Sequence, residues 1–123
     1  HCSDSSEEIK ANGVFAAVDW WYRGLVDFIK KWEWESVMPT GPVEEAFAAL
    51  ERPVEEYDDE DMIIVGDVDK CIRKMKRFAD MGVDHLLCYV QFGKIPHQAV
   101  MRSIELLGTE VIPVLEKYDP VTV

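Results

Sequence analysis

A chain of 123 residues is long enough for one domain with a modest hydrophobic core. Its net charge of −11 argues against nucleic acid or an anionic membrane as a partner, and its 48% apolar residues argue against disorder. Because no apolar run approaches the ~20 residues of a membrane span and no signal peptide is visible, we expect a cytoplasmic protein that does not enter a membrane.

The first third of the chain predicts one long helix. Ser5 and Glu8 have the spacing of a capping box, which marks a helix start. Apolar residues then recur at gaps of three and four along one wide stripe: Ala11, Val14, Val18, Trp21, Leu25, Phe28 and Trp32, with Phe15, Tyr22 and Ile29 beside them. A stripe this wide needs other structure to cover it. We expect the helix to end near Trp34, so that residues 1–35 form the first part of the chain.

Residues 36–61 predict an acidic excursion loop. Pro39, Gly41, Pro42 and Pro53 interrupt regular structure, and only residues 43–50 suit a short helix. Nine of the 24 acidic residues fall in residues 44–61, and we interpret them as a solvated loop. A metal site there is the weaker interpretation, since the run lacks the spacing and the glycine of an EF-hand.

Residues 62–123 predict strand, helix, strand and helix. Residues 62–65 are a continuous apolar run that suits a buried strand, and Asp67 follows as a helix N-cap. The next helix has an apolar face, formed by Val68, Cys71, Ile72, Met75, Phe78 and Ala79. It also has a basic outer face that we expect to be solvated, formed by Lys70, Arg73, Lys74, Lys76 and Arg77.

The second strand is predicted at residues 85–90, and Pro96 fits the first turn of the last helix. The apolar face of that helix should point toward the core, and it consists of Val100, Ile104, Leu107, Val111 and Leu115. Pro113 should kink it, because proline lacks the amide and crowds the carbonyl of Thr109. His97 in its first turn is expected to be exposed.

The three cysteines, Cys2, Cys71 and Cys88, are widely spaced and form no metal-binding pattern. We expect them to be free thiols that are buried or half-buried.

Several short sequence segments in these elements resemble those of the luciferase-like flavin-dependent monooxygenases, the family of bacterial luciferase and alkanal monooxygenases. They are IVGDVDKCI at residues 64–72, FADMGVDH at 78–85, YVQFG at 89–93, RSIELL at 102–107 and VIP at 111–113. The opening HCSDSSEE at residues 1–8 and WWY at 20–22 resemble an earlier strand and helix of the same family.

The resemblance implies an α/β fold that is the C-terminal part of a (β/α)8 TIM-type barrel, a fold of ~250 residues. Residues 1–123 would then be a single partial domain: a helix at 1–35, the loop at 36–61 and the final two βα units at 62–123. An isolated chain should be helix-rich, with two or three short strands and three to four helices. Its unpaired strand edges predict a fragment that forms homo-oligomers.

The resemblance also implies the chemistry. Its relatives use reduced FMN or a deazaflavin with dioxygen to oxidise an aldehyde or another small organic substrate, and a flavin reductase supplies the flavin. The catalytic residues come from earlier parts of the barrel, so no catalytic residue carries over. This chain alone should therefore be inactive, and it should bind no cofactor. The loop at residues 36–61 would correspond to the family's mobile lid.

Candidate site residues follow from the position of the active site at the C-terminal ends of barrel strands. Those for the cofactor are Gly66, Gln91, Phe92 and Gly93, and those for a substrate pocket are Trp20 and Trp21. Ordinary turns for the two glycines, and core packing for the aromatic residues, are the competing interpretations.

Two other functions stay open. The heptad pattern of residues 11–32 allows a non-catalytic helical interaction or dimerisation module derived from the barrel. An independent small enzyme is the weakest hypothesis, because the sequence offers no nucleophile–base pair and no metal cluster.

Overall fold

The computed structural model describes residues 1–31 and 52–121. Its centre is a pair of short parallel strands, β1 (Cys2–Ser3) and β2 (Gly66–Asp67), with Cys2 opposite Gly66 and Ser3 opposite Asp67. Parallel strands need a long crossover, and here helices lie between them in sequence. The predicted α/β class is therefore confirmed, while nothing in the fold identifies a TIM barrel as its origin.

Helices make up most of the described chain. They are α1 (Ser6–Ala11), α2 (Val14–Lys31), α3 (Val54–Asp59), α4 (Val68–Asp80), α5 (His97–Leu106) and α6 (Ile112–Leu115), with a π-helical turn at Leu107–Val111 between the last two. The described residues thus contain more helices than the three to four predicted. The excess arises because two predicted helices are interrupted and because a further helix forms in the acidic run.

The predicted first helix is broken into α1 and α2. Ser5 caps α1 as expected, accepting from the Glu8 amide at 3.3 Å. The chain then turns at Gly13, whose φ of +63° is favourable only for glycine. Within α2, Trp21 and Phe28, predicted to be inward, are 41% and 49% exposed, whereas Ala17 and Val26 are buried. Trp32 and the predicted helix end near Trp34 lie outside the described residues.

The acidic run is not a plain solvated loop. Residues 54–59 form α3, whose Tyr57 is 1% exposed and stacks on Tyr22 of α2 at a ring-centroid distance of 4.6 Å. Residues 36–51 of the predicted excursion, including the helix expected at residues 43–50, lie outside the described residues.

Strand β2 lies at the end of the predicted strand rather than within residues 62–65. The pairing nevertheless reaches back to that run, because the His1 amino group donates to the Ile64 carbonyl at 2.7 Å and the Gly66 amide donates to the His1 carbonyl at 3.2 Å. Asp67 caps α4 as predicted and accepts from the Lys70 amide at 2.8 Å.

The described residues form two hydrophobic clusters, one on each side of the segment that leads into β2. Side chains of successive residues in extended backbone point to opposite faces, so neighbouring residues there pack into different clusters. Val65 belongs to the first, with Ile9, Val14, Ala17, Val18, Ile95 and Val100. Ile64 packs against the second, which consists of Cys2, Cys71, Met75, Leu106, Leu107 and Val111. Helices α1 and α2 supply most of the first cluster, and α4, α5 and the π-helical turn supply most of the second.

The predicted strand at residues 85–90 is wrong. Residues 83–92 form no helix and no ladder. At the outer edge of β1 the place of a third strand is taken by α5, where the Cys2 amide donates to Ser103 Oγ at 2.8 Å. Both partners are buried, so this hydrogen bond satisfies an amide that a third strand would otherwise have taken.

The last helix is interrupted ahead of Pro113, as predicted, but by a π-helical turn rather than a simple kink. The wider turn accommodates a residue that has no amide to donate and that would crowd a regular helix. The register of its buried face differs from the prediction at one place. Ile104 is 45% exposed, and Ser103 and Leu106 are buried in its stead.

Candidate functional site

An apolar cavity of about 270 Å³ opens between α2, residues 61–65 and residues 86–92. We call it the aromatic groove and define it by Trp21, Tyr22, Met62, Leu87, Tyr89 and Phe92. The ring centroids of Trp21 and Tyr89 are 5.1 Å apart, and those of Tyr89 and Phe92 are 5.9 Å apart. These are distances at which aromatic rings attract each other, so the three rings form one continuous wall.

The structure brings together two of the six predicted site residues. Trp21 and Phe92, which come from different elements, both line the aromatic groove. Trp20 precedes Trp21 on α2 and is 61% exposed, because successive helix residues point about 100° apart. Gln91 is exposed next to Phe92 and does not line the groove.

The two predicted glycines lie at close backbone contacts. Gly66 is buried in β2, where an added Cβ would come within 2.7 Å of the Lys70 side chain. Gly93 has a φ of +58°, and an added Cβ would lie 2.8 Å from the Cβ of Ala17. These contacts give both residues a packing role that needs no cofactor.

Sequence reasoning missed Tyr89, Leu87 and Met62 as groove residues. They belong to apolar runs that predict buried strands, and a continuous apolar run carries no indication of which side chains will line an opening. His1 was missed as well. Its side chain is only 7% exposed, and neither ring nitrogen has a hydrogen-bond partner among the described residues.

Residues 83–92, which we call the open segment, form the outer wall of the groove. No backbone amide or carbonyl of residues 84–95 has a hydrogen-bond partner within the described parts of the chain. Several of its apolar side chains face solvent, with Leu87 88% exposed and Tyr89 62% exposed. Exposed apolar side chains on an unpaired backbone are typical of a surface that binds another segment.

A charged cluster joins α3 to α4 on another part of the molecule. Lys74, predicted on the solvated face of α4, has a side chain only 7% exposed. Its ammonium donates to Asp58 Oδ1 at 2.6 Å and to the Ile63 carbonyl at 3.0 Å. Lys70 also binds Asp58, and Arg77 binds Asp61 at 2.6 Å.

The electrostatics of this cluster favour the ionised carboxylate. Burial acts to raise the pKa of Asp58, but hydrogen bonds from Lys70 and Lys74 outweigh it and hold that pKa below its usual value. Since each charge has a partner, the cluster stabilises the α3–α4 contact and leaves no group poised for catalysis. Among the described residues, no group of three or more His, Cys, Asp or Glu side chains has a geometry suited to a metal ion.

The thiols differ in accessibility. Cys2 and Cys71 are buried, as expected, whereas Cys88 in the open segment is exposed. The neighbouring Cys71 thiol and burial raise the pKa of Cys2, and a thiol kept protonated is a poor nucleophile. The neighbouring Cys2 thiol lowers the pKa of Cys71, so the slow reaction of Cys71 is expected from its burial, in which its Sγ donates to the Gly66 carbonyl at 3.6 Å.

We therefore expect one fast and two slow thiols when the folded chain is titrated with a maleimide at low protein concentration. The fast reaction should be assigned to Cys88 by peptide mass spectrometry and should disappear in Cys88→Ser, while denaturant should release the other two. Fast modification of Cys2 or Cys71 in the folded chain would contradict the burial of this pair.

Comparison with known proteins gives no match, whether to family models, to curated proteins or to solved structures. None of the helices in the described ranges is long and apolar enough to cross a membrane. The resemblance to luciferase-like monooxygenases thus remains a prediction from the quoted phrases.

Proposed function

We propose that this chain is a segment of a cytoplasmic, luciferase-like flavin-dependent monooxygenase, in which it forms wall and pocket surface and residues outside it supply the catalysis. One observation carries the proposal. Trp21 and Phe92 were selected as candidate site residues from two separate sequence segments that resemble the family. They line the same apolar groove, and the ring of Tyr89 contacts both of them. The parallel pairing of β1 and β2 through a helical crossover also supports it.

The groove suits the flat ring of a flavin or an apolar substrate better than a charged ligand. Trp21, Tyr89 and Phe92 would contact such a ring and exclude water from it. When bound, reduced flavin would supply the reaction with dioxygen that oxidises an aldehyde or another small organic substrate.

Among the described residues that line the groove, His1 is the one basic residue that could meet the phosphate of a flavin nucleotide. Neither lysine nor arginine is among the described residues that line it. In this proposal the phosphate is bound by residues other than those described in the groove, and a flavin reductase would be the partner.

Two measurements test this function. Reduced FMN titrated into this chain should give no saturable binding. The reading frame upstream of His1 should encode further βα units, and the protein it specifies should oxidise an aldehyde with reduced FMN and dioxygen. In that protein, Trp21→Ala should raise the substrate KM. An upstream frame without such units, or a full protein inert toward every aldehyde and flavin tried, would contradict the proposal.

A second candidate function is a non-catalytic interaction module. The open segment favours it, because unpaired backbone and exposed apolar side chains are features of binding by strand addition. A start codon immediately before His1, with stable folding of this chain by itself, would favour this function over the flavin enzyme.

A further inference from the structure

We propose that the open segment, residues 83–92, is the surface through which two copies of this chain pair as antiparallel strands in a two-fold dimer. The inference does not rest on flavin chemistry.

The backbone supplies the first argument. The amides and carbonyls of residues 84–95 have no partners within the described chain, although the sequence of residues 85–90 is that of a strand. Two glycines with positive φ, Gly82 at +88° and Gly93 at +58°, flank the open segment at its two ends. A second copy running antiparallel would present the same donors and acceptors in return, so one contact would satisfy both copies.

The side chains supply the second argument. Exposed apolar residues gather along the open segment and the adjoining groove: Trp21 at 41%, Met62 at 40%, Leu86 at 39%, Leu87 at 88% and Tyr89 at 62%. For aromatic side chains of ~150–250 Å² and aliphatic ones of similar size, these fractions correspond to roughly 500 Å² of apolar surface. Two copies would thus bury about 1,000 Å², which reaches the lower limit for a specific interface.

The charges make the choice of a second copy testable. The open segment carries one formal charge, that of Asp84 near its start, and residues 85–93 contain no Lys, Arg, Asp or Glu, so the middle of the pairing brings no formal charges into contact. Each whole chain nevertheless carries a charge of −11, and two copies repel each other at a distance. Added salt screens that repulsion and should strengthen self-association, whereas it would weaken the binding of a basic partner.

The main experiment measures the mass of the chain by sedimentation equilibrium over a wide range of protein concentration, at low and moderate salt. We expect a monomer–dimer equilibrium whose dimer is favoured by salt. Leu87→Lys should raise the dimer Kd about tenfold or more, because it places a charge at the centre of the pairing surface. Since Leu87 is 88% exposed, this substitution should leave the circular dichroism and the thermal midpoint of the monomer unchanged.

Met101→Lys is the matched control. Met101 is 51% exposed on α5, outside the groove, so the same change there should leave the dimer Kd within about twofold. A chain that stays monomeric at every concentration would overturn the proposal. So would a dimer that Leu87→Lys leaves intact, one that Met101→Lys weakens equally, or one that salt dissociates.

Cross-linking provides an independent readout. A short bis-maleimide should join two chains through Cys88, the exposed thiol of the open segment. The cross-linked dimer should disappear in Cys88→Ser and fall sharply in Leu87→Lys. An equal yield in Leu87→Lys and in the unmodified chain would place the contact elsewhere.

Discussion

Replacing Lys74 with methionine is expected to lower the free energy of unfolding by about 2 kcal/mol. Methionine has nearly the same length and is apolar, so the packing of α4 is kept and the charge is lost. The Asp58 carboxylate, whose side chain is 13% exposed, would then keep only Lys70 as a cationic partner. The carbonyl of Ile63 would lose its donor as well. Urea unfolding followed by circular dichroism measures the change.

The effect should depend on pH in a defined direction. Because the folded-state pKa of Asp58 is below its usual value, the stabilisation by this ion pair is complete above the unfolded value of ~3.9. It is lost as the pH falls through the lowered folded value. The stability difference between the unmodified chain and Lys74→Met should therefore shrink in acid.

Arg73→Met is the control for the Lys74 substitution. Arg73 is the neighbouring basic residue on α4 and is exposed, so the same replacement should change stability by no more than about 0.5 kcal/mol. If Arg73→Met and Lys74→Met had equal effects, Lys74 would behave as an ordinary surface lysine and the cluster would contribute little.

Gly93→Ala is expected to destabilise the fold by about 3 kcal/mol, from two causes. The positive φ of +58° disfavours any residue with a Cβ, and that Cβ would meet the Ala17 Cβ at 2.8 Å and its Cα at 3.0 Å. The second contact is with a helix backbone, which cannot move aside as a flexible side chain can. Thermal and urea unfolding of the purified variant measure the loss.

Two other glycines separate these causes. Gly82 has a φ of +88° and nothing near an added Cβ, so Gly82→Ala should cost only the backbone strain of about 1–2 kcal/mol. Gly24 has no positive φ and open space around it within α2, so Gly24→Ala should stabilise the chain by about 1 kcal/mol. A Gly93→Ala effect no larger than that of Gly82→Ala would show that the contact with Ala17 is relaxed at little cost.

These substitutions also bear on the flavin hypothesis. A destabilisation of Gly93→Ala in the absence of any flavin would establish a packing role for this residue. The prediction of Gly93 as a cofactor contact would then need evidence from the full protein, in which cofactor binding and stability can be measured separately.

Local signals predicted much of this fold correctly. Ser5 and Asp67 act as N-caps, and Cys71 and Met75 face the core, because capping and helical periodicity depend on residues within one or two turns. The α/β class followed from the same local patterns. The break at Gly13 was missed, since one glycine is compatible both with a continuous helix and with a turn of positive φ.

The missed features of the site are long-range. Leu87 and Tyr89 were predicted as strand residues, and their exposure depends on whether a partner strand is present to cover them. Lys74 was assigned to the solvent by helical periodicity alone. Lys74 is buried because α4 packs against α3 and the residues that follow it, and no spacing within α4 indicates that contact.

By itself, the sequence determined where α1 and α4 begin, which faces of α4 and α5 are mostly apolar, and that a strand leads into α4. These properties depend on neighbours a few positions apart in the chain. Only the tertiary structure decided that β1 pairs with β2 and that Ser103 occupies the edge of β1. It also decided that the backbone of residues 84–92, beside the aromatic groove, has no hydrogen-bond partner among the described residues. Strand pairing and burial are contacts between distant segments, so a residue's own neighbours in sequence do not specify them.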